Sequence, residues 1–158
     1  MHICTFKAQT HTTAQALWTL WTQSKHWPAW DTNLQEVTLD GAFKQGGTGT
    51  LVYQDGTRRT FTVIKLQVLE SLVICISYAR GTEVLVKRDL RQEGEVLHFE
   101  QDVTLSGTFL TKMMMGGHRE ILRDAARQQM QRTLDLLEGQ RKPVGESSAY
   151  ASTRQVGH

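Results

Sequence analysis

The sequence predicts an α+β domain in which a curved antiparallel sheet wraps around a long C-terminal helix, with two short helices after the first strand. Three observations predict it. Between residues 34 and 105, apolar side chains recur with period two in six segments separated by Asp-Gly and similar pairs, the strongest available cue for successive hairpins. On either side of this region the period is 3.6, briefly after residue 12 and at length after residue 107. The resulting order of strand, two helices, six strands and long helix allows the sheet to curl around the last helix and bury its inner face there.

The elements follow in chain order. Residues 2 to 8 read as a short strand with Ile3, Thr5 and Lys7 on one face and Cys4 and Phe6 on the other. Thr12 and Gln15 have the spacing of a capping box, and Ala14, Leu17, Trp18 and Trp21 form one apolar stripe on the helix that follows. Trp27-Pro28 and Trp30-Asp31 mark a Pro-initiated turn or short second helix that packs back on the first. The alternating segments are 35–39, 49–53, 60–68, 72–78, 84–90 and 96–105, broken at Asp40-Gly41, Gly46-Gly47, Asp55-Gly56, Glu70-Ser71, Arg80-Gly81 and Glu93-Gly94. Beyond Gly107, Leu110, Met114, Gly117, Ile121 and Ala125, with Leu122, Ala126, Met130, Thr133 and Leu137, make a broad apolar helical face. Gly116-Gly117 is its weak point, since a helical Gly costs about 1 kcal/mol relative to Ala, and a bend or break is expected there. Gly139 supplies a stop, so the domain is read as residues 1–138 and residues 139–158 as a flexible tail.

Composition bounds the function. A chain of 158 residues with 39% hydrophobic and 22% charged residues has enough apolar content for one core and too little length for two. The 18 basic and 16 acidic residues leave a net charge of +2 and are interleaved, which argues against a nucleic-acid partner. No run approaches the ~20 apolar residues of a membrane span, and the first residues lack the pattern of a secretory signal. Cys4 and Cys75 are far apart and form no CxxC pair, so they are read as reduced strand residues of a cytoplasmic protein, with no metal site and no redox motif.

Ala16-Leu17-Trp18-Thr19-Leu20-Trp21-Thr22 followed by Trp27-Pro28-Ala29-Trp30-Asp31 resembles the opening of the START-like, helix-grip superfamily, in particular the polyketide cyclase/dehydrase and lipid-transport branch often labelled SRPBCC. Gly46-Gly47-Thr48-Gly49, Phe61-Thr62-Val63-Ile64 leading through Glu70 to Leu72, and Val103-Thr104-Leu105-Ser106-Gly107 before the long helix extend the resemblance over residues 1 to about 138. Two departures stand out. Val68-Leu69 replaces a common proline, and Met113-Met114-Met115 occupies helical positions where bulky aliphatic or basic residues are more usual. The resemblance implies a cavity between sheet and helix, and it does not name the content, because function on such folds lies in the lining.

Candidate site residues follow from the expected inward faces. The four tryptophans read mainly as core, with Trp30 as the one placed to close an end of the cavity. Gly46-Gly47-Thr48-Gly49 lacks the Lys and the strand-to-helix context of a phosphate loop and reads as a tight hairpin. His98, Glu100 and Asp102 share the solvated back of a strand whose opposite face carries Leu97, Phe99, Gln101, Val103 and Leu105. Gln101 is thus an amide among apolar neighbours, and Arg88 falls in line with Val84, Val86 and Leu90. An inward guanidinium needs a carboxylate or an anionic ligand unless it snorkels to the rim. Tyr53, Phe61 and Tyr78 are strand aromatics available to line a cavity, and Met114, His118 and Ile121 lie where the helix would meet its mouth. His118 is either a solvated helix residue or a general acid or base.

The leading expectation is a cofactor-independent binder of a hydrophobic or aromatic small molecule such as a lipid, quinone or polyketide, acting as a monomer or homodimer. The alternative is a polyketide cyclase or dehydratase in which Arg88, Gln101, a Tyr or His118 would polarise carbonyls and move protons. A third class, an interaction module akin to the co-chaperone activators that share the fold, lacks a conspicuous exposed apolar stripe in this chain.

Overall fold

A computed structural model of the chain describes residues 1–108 and 116–139. Seven strands, β1 (His2–Thr10), β2 (Leu34–Leu39), β3 (Thr48–Tyr53), β4 (Arg58–Gln67), β5 (Ser71–Ala79), β6 (Thr82–Glu93) and β7 (Val96–Gly107), form one antiparallel sheet in the order β1-β7-β6-β5-β4-β3-β2. Helix α1 (Ala14–Thr22) and a 3-10 turn at Ser24–His26 lead into the one-turn helix α2 (Trp27–Trp30). The long helix α3 (Arg119–Gly139) follows a 3-10 turn at Gly116–His118 and lies against β1, β7, α1 and α2. This is the curved sheet and gripped helix that the periodicity predicts. Among the described residues the Gly pair is not α-helical and stands in the 3-10 turn before Arg119, as expected from its poor helical propensity. Leu110, Met113, Met114, Met115 and the expected tail beyond Gly139 lie outside the described residues.

Local differences have local causes. The β1–β7 register shifts between His2 and Cys4, so Ile3 and Cys4 are both buried, and Ile3 does not share the outer face of Thr5 and Lys7. The cap of α1 is Thr13, not Thr12: its side chain accepts from the Ala16 amide at 3.2 Å. Gly46-Gly47 is not a tight hairpin. It ends a longer β2–β3 connection and docks on β4, with the Gly46 amide donating to the Val63 carbonyl and the Val63 amide to the Gly47 carbonyl. Gly49 is required by its neighbour: a Cβ there would lie 2.6 Å from the Phe61 ring and 2.7 Å from the Thr38 carbonyl.

The interior is filled unevenly. Trp18, Trp21, Trp27 and Trp30 are all buried. Trp21 meets Phe99 edge-on with ring centres 6.2 Å apart, and Trp27 lies against Phe61 at 5.4 Å and Phe43 at 5.9 Å. The indole N–H groups of Trp27 and Trp30 donate to the Trp21 and Leu20 carbonyls, satisfying the C-terminal end of α1. The C-terminal half of α3 adds buried Met130, Thr133, Leu134 and Leu137, whereas Ile121 near its start is 59% exposed. The packed half and the open half of the sheet thus meet under one helix.

Candidate functional site

The open half holds a cavity of about 330 Å³. Ile76 of β5, Val84 and Val86 of β6 and Val103 of β7 make its floor, and Leu122, Ala125 and Ala126 of α3 its roof. Alternation places the three valines inward on neighbouring strands, in the registers Val84↔Leu105 and Val86↔Val103. The exposed 54–57 turn between β3 and β4 supplies the rim, with Asn33 beside it.

A chain of polar groups interrupts this apolar lining. Arg88, 5% exposed, donates from Nε to Gln101 Oε1 at 3.0 Å. Gln101 Nε2 donates to Gln129 Oε1 at 2.8 Å, and Gln129 Nε2 donates to Asp31 Oδ2 at 3.2 Å. Asp31, Gln101 and Gln129 line the cavity, while Arg88 stands behind the wall with its guanidinium 4.8 Å from the centre of the Trp30 ring. Asp31 is held by its own backbone. It terminates α2, its amide donating to the Trp27 carbonyl, and its other carboxylate oxygen accepts from the Asn33 amide at 3.2 Å.

Burial sets the electrostatics. It pushes the Asp31 carboxyl above its ordinary value, opposed by the Asn33 amide, the Arg88 charge and the Gln129 side chain. Burial pulls Arg88 down to about 10, with Asp31 acting the other way, so the guanidinium is charged at neutral pH. Tyr53 is pushed up to about 12, first by burial and then by Asp31, which keeps its hydroxyl protonated and available as a donor.

A second cluster sits toward the rim. Arg59 lies against the Tyr78 ring at 4.4 Å and near the Tyr53 ring at 5.9 Å, and its guanidinium donates to the Tyr78 backbone carbonyl. Tyr78 Oη is 2.9 Å from His118 Nδ1, which ties the turn before α3 to the end of β5.

Of the residues singled out from the sequence, Tyr53, Tyr78, Gln101 and Ile121 are on the cavity wall. Arg88 acts on the cavity through Gln101, and His118 reaches it through the Tyr78 hydroxyl. Trp30, Phe61 and Phe99 belong to the packed core and are not among the lining residues. Met114 is outside the described residues. His98, Glu100 and Asp102 occupy the outer face of β7, and among the described residues no group of His, Cys, Asp and Glu is arranged to hold a metal ion. Sequence reasoning missed Asp31, Arg59 and Gln129. Arg59 carried a signal, because it precedes the inward Phe61 and Val63 at period two. Asp31 stood out only as the last residue of the Trp27–Asp31 turn, with nothing to mark its side chain as a lining group.

The sequence matches no protein-family model and no curated protein. The fold has solved relatives. DynU16, encoded in the dynemicin biosynthetic locus, superposes with a TM-score of 0.67 at 16% identity over 85% of this chain, which spans 46% of DynU16's own length. CalU16 from Micromonospora echinospora gives 0.57 at 14% identity, over 98% of this chain and 87% of that one. Norcoclaurine synthase from Thalictrum flavum gives 0.58 at 8% identity, over 72% and 74%. At these identities the likeness is one of fold. Among the described residues no helix is long and apolar enough to cross a membrane.

Proposed function

From the premise that the chain has the START-like (SRPBCC) helix-grip fold, we propose that it binds one hydrophobic or aromatic small molecule, of lipid, quinone or polyketide-like character, between the sheet and α3. The observation that carries this reading is the cavity of about 330 Å³ with an apolar floor and roof, beside an interior that is otherwise filled by aromatic and aliphatic side chains. That volume is at the small end of ligand pockets and suits a compact ring system better than a long acyl chain.

Magnitudes give the polar strip its role. A ligand burying about 200 Å² of apolar surface gains about 5 kcal/mol, before the cost of immobilising it. Micromolar affinity needs about 8 kcal/mol. The difference has to come from directed contacts, and Asp31, Gln129, Gln101 and the Tyr53 hydroxyl are the groups available for them. Each amide in the chain keeps one N–H and one lone pair for a ligand after its internal bonds are made.

Cyclase or dehydratase chemistry is a second reading, favoured by one observation: a wall-lining carboxyl whose affinity for a proton is raised by burial. Asp31 would take a proton from, or return one to, a carbon or hydroxyl beside a carbonyl. Tyr53 or the Gln101 amide, polarised by Arg88, would hold the carbonyl oxygen. The two readings separate in one series. Native mass spectrometry of gently purified protein, followed by denaturing extraction, identifies any molecule carried along, and Asp31→Asn and His118→Ala are then compared for affinity and turnover of compounds in that class. Altered affinity with no turnover supports the binder, and turnover lost in Asp31→Asn supports the enzyme. A protein that carries nothing and shows no saturable uptake of a neutral aromatic dye sinks both.

A further inference from the structure

We propose that Arg59 is an oxyanion-recognition residue at the mouth of the cavity, and that the ligand is therefore an amphipathic monoanion, its carboxylate or equivalent acid group on Arg59 and its apolar body lying over Val84, Val86 and Val103. The inference rests on the cavity being a binding site and adds the charge and the orientation of what it holds.

Among the described residues that line the cavity, Arg59 is the one cation. It lines the cavity, is half-buried, and among the described residues forms no ion pair. A partly desolvated guanidinium without a carboxylate is uncommon. Asp55, fully exposed in the turn beside it, is influenced by Arg59 only at a distance, and its own carboxylate is engaged by Thr57. Of the five N–H groups on the guanidinium, the Tyr78 carbonyl takes one. The face of the group is occupied, since it lies against Tyr78 at 4.4 Å, and a stacked guanidinium donates from its edge. The remaining edge donors form a planar fork, which matches a carboxylate better than a carbonyl or an alcohol.

Position completes the argument. Arg59 is at the start of β4, next to the exposed 54–57 turn, so an anion there stays in reach of water while the rest of the molecule is covered. Arg88 cannot play this part, because its Nε is committed to Gln101, its face to Trp30, and it is not on the wall. An anion seated deeper would meet the Asp31 carboxylate and be repelled.

The test uses a neutral reporter, N-phenylnaphthylamine, displaced at neutral pH and fixed ionic strength by naphthalene-carboxylate and by the isosteric, uncharged carboxamide. The expected result is that the carboxylate displaces the reporter at about tenfold lower concentration than the amide, as for one charge-assisted fork. Arg59→Met abolishes the preference, so that carboxylate and carboxamide displace the reporter at the same concentration. Arg58→Met, which removes the same charge from an exposed neighbour, keeps it. Arg59→Lys, which retains charge without the fork, keeps part of it and serves if the methionine variant is poorly folded. An equal affinity of the two competitors in the unmodified protein, or a preference that survives in Arg59→Met, overturns the proposal and leaves the cavity reading standing. A reporter that does not saturate, or whose binding is indifferent to Ala125→Leu on the cavity roof, overturns the cavity reading and this proposal with it.

Discussion

The two halves of the interior are built from the same sheet and the same helix, and they differ in what crosses between them. Toward the N-terminal helices, Trp21 reaches over to Phe99 and Trp27 to Phe61, Trp30 lies beside Trp27, and Met130, Leu134 and Leu137 of α3 are buried with them. Toward the start of α3 the helix offers Ala125 and Ala126 beside Leu122, above a floor of Val84, Val86 and Val103 with Ile76. Side chains smaller than the rings of the packed half do not meet across the width of the curved sheet, so a volume is left. Side-chain size on the two facing surfaces thus leaves the cavity.

The largest effect that tests this contrast is expected at Phe61. Truncation to Ala in the packed half removes a ring that touches Trp27, and should cost about 3–5 kcal/mol by urea denaturation. A loss below about 1 kcal/mol would show that this half is not densely packed. The sharper test adds volume on each side. Ala8 on β1 is 5% exposed and opposes Phe99, so Ala8→Leu overpacks and is expected to cost about 1–3 kcal/mol. Ala125→Leu places the same atoms in the cavity roof, where the change should stay within about 0.5 kcal/mol while reporter binding is lost. Equal costs at the two alanines would break the comparison.

The smallest effect is a slope with pH. Burial raises the Asp31 carboxyl above its ordinary 3.8, so the folded protein holds that proton more tightly than the unfolded chain. The associated stability is fully present below 3.8 and is lost as pH rises through the raised folded value. Melting temperatures of the unmodified protein should fall relative to Asp31→Asn across that interval. Parallel curves would mean that Asn33, Gln129 and Arg88 fully offset the burial.

The packed half was the more legible of the two in the sequence. Period two from Thr60 to Leu105 and the Trp-rich corner announce strands and core directly, because burial against a neighbour selects for apolar type at regular spacing. Inward Arg88 and Gln101 were readable as exceptions within that alternation. What joins them was not. Gln129 lies on a helix and Asp31 in a turn, 98 residues apart in sequence, and only the folded chain brings their side chains within 3.2 Å. The bulge at Ile3 and the shift of the α1 cap to Thr13 were hidden for another reason, since one residue of slippage changes no composition. Phe61 and Phe99 had the spacing of lining residues, and packing from the opposite side consumed them.

The chain of bonds from Arg88 to Asp31 has a direction. At one end a guanidinium can only donate, and at the other an ionised carboxylate can only accept, so each amide between them must turn its oxygen toward Arg88 and its nitrogen toward Asp31. Neither Gln101 nor Gln129 can flip alone without setting donor against donor. The pattern of donors and acceptors that a ligand meets on this wall is consequently written by a cation it never touches, and it persists when Asp31 takes up a proton, because Arg88 still fixes the oxygen of Gln101 and, through it, that of Gln129.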